Sequence, residues 1–110
     1  MSESDSGIQE MYGIPVEMLR RLVECVKEYE KVEEIILYGS RAKGTPRRFS
    51  DIDLTLKGEC LTQLDLFEIA ERIDDLYLPY EIDLSLYSQL DHQPLLDEIA
   101  RYGKTLYRRG

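Results

Sequence analysis

The chain has few of the residues that build metal-stapled or membrane-spanning proteins. Its 110 residues include two cysteines and one histidine, whereas a structural zinc site takes about four Cys or His ligands at close spacing. No apolar run approaches the roughly 18–20 residues that cross a bilayer, and the polar N-terminus lacks the features of a secretory signal. We therefore expect a cytoplasmic protein with reduced thiols and no contact with a membrane.

Positive charge is also scarce. The 14 Lys and Arg residues stand against 22 Asp and Glu residues, which gives a formal net charge of -8 and a sequence pI near 4.6. Proteins that coat nucleic acid or bind anionic membranes need clustered positive charge. The composition thus disfavours direct DNA binding. What is present is a chain of single-domain length, 43% hydrophobic, without a tract typical of disorder.

Hydrophobic periodicity predicts one small α/β domain over residues 14–110, after a flexible tail over residues 1–13. Helices are predicted over residues 16–29, from an N-cap at Thr62 to before Pro79, and over residues 94–102, while strands are predicted over residues 33–38, 51–57, 80–87 and 104–109. Leu64 and Phe67 are predicted to lie on the apolar face of the second helix. Gly103 is predicted to end the third helix.

Carboxylates alternate along two of the predicted strands. The period of two places Asp51 and Asp53 on one face of their strand, and Glu81 and Asp83 on one face of the next strand. If the two strands are neighbours, Asp51, Asp53 and Asp83 converge and raise one another's pKa unless a cation joins them. Magnesium is the usual cation at such oxygen ligands. The alternative is an acidic strand face that is simply solvated.

A basic, glycine-containing loop precedes the first of these acidic strands. Gly39 and Ser40 directly follow a buried strand, where backbone N–H groups and a hydroxyl can approach an oxyanion. The loop lacks the Gly-Lys-Ser/Thr ending of a Walker A motif. Its four basic residues are Arg41, Lys43, Arg47 and Arg48. They give the segment 39–50 a net charge of +4 and leave a net charge of -12 on the rest of the chain. A basic loop next to carboxylates indicates a polyanionic ligand that arrives with its own metal, such as a nucleoside triphosphate. The alternative is a solvated basic loop.

These motifs together resemble a known family. Gly39-Ser40, ten further residues and Asp51-Ile52-Asp53 resemble the GS-x10-DxD signature of the nucleotidyltransferase superfamily that includes DNA polymerase β, and Asp83 resembles its third carboxylate. The short chain is similar to the minimal nucleotidyltransferase (MNT) branch, small prokaryotic proteins often encoded beside a HEPN-type or substrate-binding helical partner. The similarity extends from about residue 12 to residue 109.

The resemblance implies a small mixed sheet of three to four strands, with helices mainly on one face and the site along the open edge. It implies that Gly39 and Ser40 bind the triphosphate and that Arg41 supports it. Asp51 and Asp53 would hold two Mg²⁺ ions, or Mn²⁺ ions, and Asp83 would share one of them. The implied reaction is an in-line displacement at the α-phosphorus of ATP or another nucleoside triphosphate, with pyrophosphate leaving.

The acceptor is expected to come from a partner, because 110 residues leave no room for an acceptor-binding domain. In the MNT–HEPN pairs of the family, the nucleotidyltransferase is an antitoxin that transfers AMP to a tyrosine hydroxyl of the HEPN toxin. Two alternatives stay open. One is an antitoxin that neutralises its partner by occlusion and does not need catalysis; the other is a nucleotidyltransferase for a small-molecule acceptor.

Overall fold

A four-stranded mixed sheet with three helices makes up most of the chain. The structure, a computed structural model, describes residues 9–44 and 51–110. The strands are β1 (Glu10–Met11), β2 (Ile14–Pro15), β3 (Glu34–Tyr38), β4 (Ile52–Lys57), β5 (Ile82–Leu86) and β6 (Lys104–Arg108). The helices are α1 (Val16–Lys27), α2 (Gln63–Asp74) and α3 (Gln93–Tyr102), and a 3₁₀ turn covers Tyr87–Gln89. The predicted α/β class and mixed sheet are confirmed.

The order of strands in the main sheet is β5-β4-β3-β6. The central strands β3 and β4 are antiparallel, and β6 pairs antiparallel with the free edge of β3. β4 and β5 are parallel, because α2 crosses over between them. This order brings the end of β3 and the beginnings of β4 and β5 to the same edge of the sheet.

The main core lies between the sheet and the helices α1 and α2. Alternate residues of β4 (Ile52, Leu54 and Leu56) are at most 1% exposed. They belong to one cluster with Leu22 of α1 and Ile69 of α2. Two amphipathic helices on one sheet face are the expected way to bury that face. The expectation that the helices lie mainly on one side of the sheet is therefore confirmed.

The third helix, α3, contacts β3 on the opposite face of the sheet. Ile36 is cross-strand partner to Thr55 and therefore shares its face, and Ile36 and Ile99 are both buried. A β-carbon at Gly103 would overlap the carbonyl oxygen of Ile99, so the close approach of the chain after α3 requires glycine. Gly103 ends α3 as predicted. The face that we predicted to be polar is thus partly covered, and Thr55 is fully buried.

Helix α2 begins as predicted but buries a different set of side chains. The backbone N–H of Asp65 donates to the Thr62 hydroxyl, and the Asp65 carboxylate accepts from the Thr62 N–H, which is a complete capping box. Leu64 and Phe67, predicted to be buried, are 66% and 63% exposed. Leu66 is buried instead, because the helix faces the sheet with the stripe that includes Ile69 and Ile73.

The segment predicted as a flexible tail ends in a hairpin. Residues 1–8 lie outside the described residues, but β1 pairs antiparallel with β2, with Met11 opposite Ile14. Tyr12 and Gly13 form the turn with φ of 58° and 75°, and Ile14 is buried in the core. A buried anchor next to a tight turn explains why these residues are structured. No helix in the described part of the chain is long and apolar enough to cross a membrane.

Candidate active site

Asp53 and Asp83 are brought together by the parallel pairing of β4 and β5. The two residues are directly opposite each other in the register, on strands whose axes are about 4.8 Å apart. The predicted convergence of these two carboxylates is therefore confirmed. Asp51 precedes β4 and is exposed, and its carbonyl oxygen accepts a hydrogen bond from the Arg41 side chain.

Gly39 lies against the Asp53 carboxylate. It directly follows β3, whose last residue, Tyr38, is the cross-strand partner of Asp53. Its φ of 80° is in the left-handed region, and an added β-carbon would overlap Asp53 Oδ2 and lie 3.3 Å from Asp53 Cγ. Glycine is required here both by the backbone conformation and by the close approach of the acidic side chain.

The loop after β3 turns at once. The N–H of Lys43 donates to the Gly39 carbonyl over 3.2 Å, and the N–H of Gly44 donates to the Arg41 carbonyl over 3.3 Å. This places Ser40 in the turn that directly follows Gly39 at the end of β3. The remainder of the predicted basic loop, with Arg47 and Arg48, lies outside the described residues.

Arg41 is buried and joins three parts of the site. The residue is 2% exposed. Its Nε donates to the Asp51 carbonyl over 3.3 Å, and a terminal guanidinium nitrogen donates to the Tyr12 carbonyl over 3.0 Å. It also stacks on the Tyr80 ring, 4.9 Å from its centroid. Arg41 therefore links the loop to the start of β4, to the N-terminal hairpin and to the segment before β5. Its predicted contact with a triphosphate stays a prediction.

The environment of Asp53 is short of positive charge. Burial raises the pKa of this carboxyl above its ordinary value, and the nearby carboxylates of Asp83, Asp51 and Glu98 raise it further. Arg41 opposes them with the smallest of these effects. Burial is the largest of these causes, and repulsion by the neighbouring carboxylates adds to it.

Two groups of the site were missed by the sequence analysis. Burial raises the pKa of Tyr38, and Asp53, Asp83 and Glu98 contribute to it, while a hydrogen bond with the Ser85 side chain lowers it. Tyr38 thus lies close enough to Asp53, Asp83 and Glu98 for their charges to raise its pKa. Its position directly before Gly39, in register with Asp53, was a usable signal.

Glu98 comes from α3 and approaches the site from the covered face of the sheet. Its carboxylate forms an ion pair with Lys43 Nζ at 2.9 Å, and the Lys43 ammonium also lies 5.7 Å from the centre of the Tyr102 ring. α3 is therefore attached to the loop that follows Gly39. No sequence signal could have found Glu98, because the placement of α3 on the sheet is a tertiary feature.

The residues present fit a divalent cation through two carboxylates rather than a preassembled cluster. Within residues 9–44 and 51–110, no three His, Cys, Asp or Glu side chains are grouped closely enough to hold one metal ion. Magnesium in phosphate-handling sites is commonly held by only one or two carboxylates, with water and substrate phosphates as its other ligands. Asp53 and Asp83, which are directly opposite each other on neighbouring strands, meet that requirement.

A cleft adjoins Asp83 on the β5 side of the sheet. It has a volume of about 570 Å³ and lies between the C-terminal end of α2 and the beginning of β5. Asp51 and Asp83 form part of its wall. The Tyr80 ring, which stacks on Arg41, forms another part.

Solved structures with the same fold occur in toxin–antitoxin complexes. A chain of a toxin–antitoxin complex with AMP-PNP is 22% identical, with a TM-score of 0.68 over 83% of this chain and 73% of that chain. A chain of the Shewanella oneidensis complex of a tri-AMPylated HEPN toxin with an MNT antitoxin is 18% identical, with a TM-score of 0.64 over 86% and 72% of the two chains. A chain of the MntA–HepT toxin–antitoxin structure is 18% identical, with a TM-score of 0.63 over 86% and 73%. At these identities the likeness concerns the fold.

The sequence itself matches a family. No curated protein matches the chain. The family model described as "Polymerase beta, Nucleotidyltransferase" matches residues 20–110, which include the loop after β3, Asp51, Asp53 and Asp83. The match covers most of the chain and includes the residues whose geometry is described above, and so the chain belongs to the polymerase β nucleotidyltransferase family.

Proposed function

We propose that this chain is an antitoxin that transfers AMP from ATP to a tyrosine hydroxyl of a HEPN-type toxin. The observation that carries the proposal is the pairing of Asp53 with Asp83 across parallel strands, directly beside the Gly39–Ser40 turn. The likeness of the fold to chains in toxin–antitoxin complexes, one with AMP-PNP and one with a tri-AMPylated toxin, supports the choice of nucleotide and acceptor.

In the proposed reaction the chain's own residues position the substrates and move one proton. The Gly39 backbone and the Ser40 hydroxyl would bind the triphosphate. Asp51 and Asp53 would hold two Mg²⁺ ions and Asp83 would share one of them, with phosphates and water as further ligands. When bound, the metal stabilises charge on the phosphates and lowers the pKa of the attacking hydroxyl. The tyrosine oxygen forms a bond to the α-phosphorus, and the bond from that phosphorus to pyrophosphate breaks. Asp83 accepts the proton that the hydroxyl loses.

The test is transfer of label from α-³²P-ATP to the protein encoded beside this chain, with Mg²⁺ and with EDTA. We expect Mg²⁺-dependent labelling that Asp53→Asn abolishes. Asp91→Asn is the matched control, because Asp91 is exposed in the loop before α3. Absence of labelling with the wild-type chain refutes the proposed transfer.

The same experiment separates the proposal from occlusion. The partner's RNase activity is measured with wild-type chain and with Asp53→Asn, each with and without ATP. Neutralisation that needs both ATP and Asp53 supports catalysis. If Asp53→Asn without ATP inhibits the partner's RNase activity as well as the wild-type chain does, the chain is an antitoxin that acts by binding. Labelling of an aminoglycoside in place of the protein identifies a small-molecule acceptor.

A further inference from the structure

Helix α3 lies on the sheet face that carries the paired carboxylates. Thr55 is two residues after Asp53 and shares its face, and Thr55 is the cross-strand partner of Ile36. A β-carbon at Gly103, directly after α3, would lie 3.0 Å from Ile36 Cγ2, so the end of α3 packs on this face. Asp83 is the register partner of Asp53 and shares the face too. Side chains of α3 are therefore on the correct side of the sheet to reach the site.

Glu98 is the side chain of α3 that reaches it. Its charge contributes to the raised pKa of Asp53 and to that of Tyr38, the last residue of β3. Its Oε1 atom lies 2.9 Å from Lys43 Nζ, in the loop after β3. One carboxylate thus joins α3 to this loop and lies close to Asp53.

The Lys43 side chain is restrained by two contacts with α3. Its ammonium is paired with Glu98 and lies 5.7 Å from the centre of the Tyr102 ring, a distance at which aromatic faces attract cations. Its own backbone N–H donates to the Gly39 carbonyl over 3.2 Å, which fixes the base of the side chain one turn after the glycine. A flexible lysine that is restrained in this way loses less conformational entropy when it binds a ligand.

The Lys43 ammonium is also accessible to a ligand. The side chain is 39% exposed, and a lysine ammonium donates more than one hydrogen bond. Arg41, the other cation of residues 39–44, is 2% exposed and donates to the backbone carbonyls of Asp51 and Tyr12. Within the described part of this loop, Lys43 is therefore the cation that is presented to solvent.

We propose that Glu98 is a positioning residue that holds Lys43 for contact with the phosphates of a nucleotide at the Gly39–Ser40 turn. This inference rests on the proposed function, since it concerns how the same site binds its triphosphate. It assigns to Lys43 the supporting contact that the resemblance implied for Arg41. Arg41 instead stabilises the site from within, through its hydrogen bonds to backbone carbonyls.

Glu98 has two effects on a bound nucleotide, and they have opposite signs. As a negative charge close to Asp53, its carboxylate repels a triphosphate, so its neutralisation would tighten binding. As the partner of Lys43, the same carboxylate restrains the ammonium, so its neutralisation would weaken binding. Glu98→Gln removes the charge with little change in shape and therefore shows which effect is larger.

The experiment measures the binding of α,β-methylene-ATP with Mg²⁺ by isothermal titration calorimetry, without a partner protein. This analogue does not release pyrophosphate, so binding is measured separately from transfer. We expect Lys43→Met to raise the Kd by about tenfold or more, through loss of a charge-assisted hydrogen bond. Glu98→Gln should raise the Kd by about two- to tenfold, the effect of releasing one restrained side chain. Asp97→Asn is the matched control, because it removes the same charge from an exposed neighbouring position, and it should leave the Kd unchanged.

The double variant tests whether Glu98 acts through Lys43. In the Lys43→Met background, Glu98→Gln should no longer weaken binding and should tighten it slightly, because only the repulsion is left. A general structural effect of Glu98→Gln would weaken binding equally in both backgrounds and would lower the free energy of unfolding in urea. That result refutes the positioning role.

The outcomes separate this inference from the proposed function. If the wild-type chain binds the analogue and Glu98→Gln binds it equally or more tightly, the positioning role is wrong and the proposed transfer is unaffected. If the wild-type chain does not bind the analogue, both proposals are refuted.

Discussion

Gly39→Ala is expected to disable the site through one added carbon. The β-carbon would overlap Asp53 Oδ2, so the carboxylate must rotate away or the loop must shift. Alanine at a φ of 80° adds backbone strain of about 1–2 kcal/mol. Rotation of Asp53 away from its preferred conformer adds about 0.5–1.5 kcal/mol. We therefore expect the free energy of unfolding to fall by roughly 1.5–3.5 kcal/mol.

Gly44→Ala is the matched control in the same loop. Gly44 has a φ of 83°, but no atom in the described chain lies within 4 Å of the position of an added β-carbon. This variant therefore has the strain of about 1–2 kcal/mol without the collision. Comparing the two substitutions isolates the effect of displacing Asp53.

The measurements are urea unfolding and AMP transfer to the partner. Both variants should be less stable than the wild-type chain, and Gly39→Ala should also lose about 100-fold in kcat/KM, since displacement of a catalytic group by about 1 Å has an effect of that size. Gly44→Ala should retain transfer within a few-fold. Equal activity of the two variants would refute the inference that Gly39 is required because of Asp53.

Four further predictions concern the titration of two carboxyls, a helix cap and a buried cation. In EDTA, Asp53→Asn should raise the free energy of unfolding at pH 7. The reason is that a carboxyl with a raised pKa in the folded chain lowers the stability as the pH rises through that pKa. Urea unfolding at several pH values should show that this increase in stability disappears below the ordinary aspartate pKa of about 3.9. Asp65→Asn should have the opposite sign, since hydrogen bonds from Thr62 lower the pKa of Asp65, and its loss of stability should vanish as pH falls through that lowered pKa. Thr62→Ala should lower the free energy of unfolding by about 1 kcal/mol, whereas Gln63→Ala should change it little, as measured by urea unfolding. Arg41→Lys should destabilise the chain by about 1–3 kcal/mol in a thermal melt, because lysine leaves buried carbonyls without a donor; an unchanged melting temperature would contradict this.

Local patterns predicted the elements that carry the site. The alternation from Asp51 to Lys57 identified β4 and placed Asp53 opposite its buried face, because a strand has a strict period of two. The helix between the two acidic strands made parallel pairing available, and that pairing sets Asp83 beside Asp53. The turn after β3 was also foreseeable, since Gly39 interrupts an apolar run.

Tertiary placement accounts for what the sequence did not predict. Helix α2 has apolar residues on more than one side, so periodicity alone did not show that Leu66 would be buried and Phe67 exposed. The position of α3 over the sheet decides that Glu98 reaches the site. The sequence analysis predicted that Arg41 supports the triphosphate but gave no sign that this residue is buried, because its hydrogen bonds to the carbonyls of Tyr12 and Asp51 join segments that are distant in sequence.

The acidic character of the chain and its proposed polyanionic substrate are compatible because of how the charges are arranged. The pKa of Asp53 is raised by burial and by three carboxylates, and in the described chain only Arg41 opposes them. A bare triphosphate would add to this negative potential, whereas a divalent cation would reduce it. Nucleotide and metal should therefore bind together, with the loop after β3 contacting the phosphates. The negative potential at Asp53 would thus attract the metal that the triphosphate needs, without an extended basic surface.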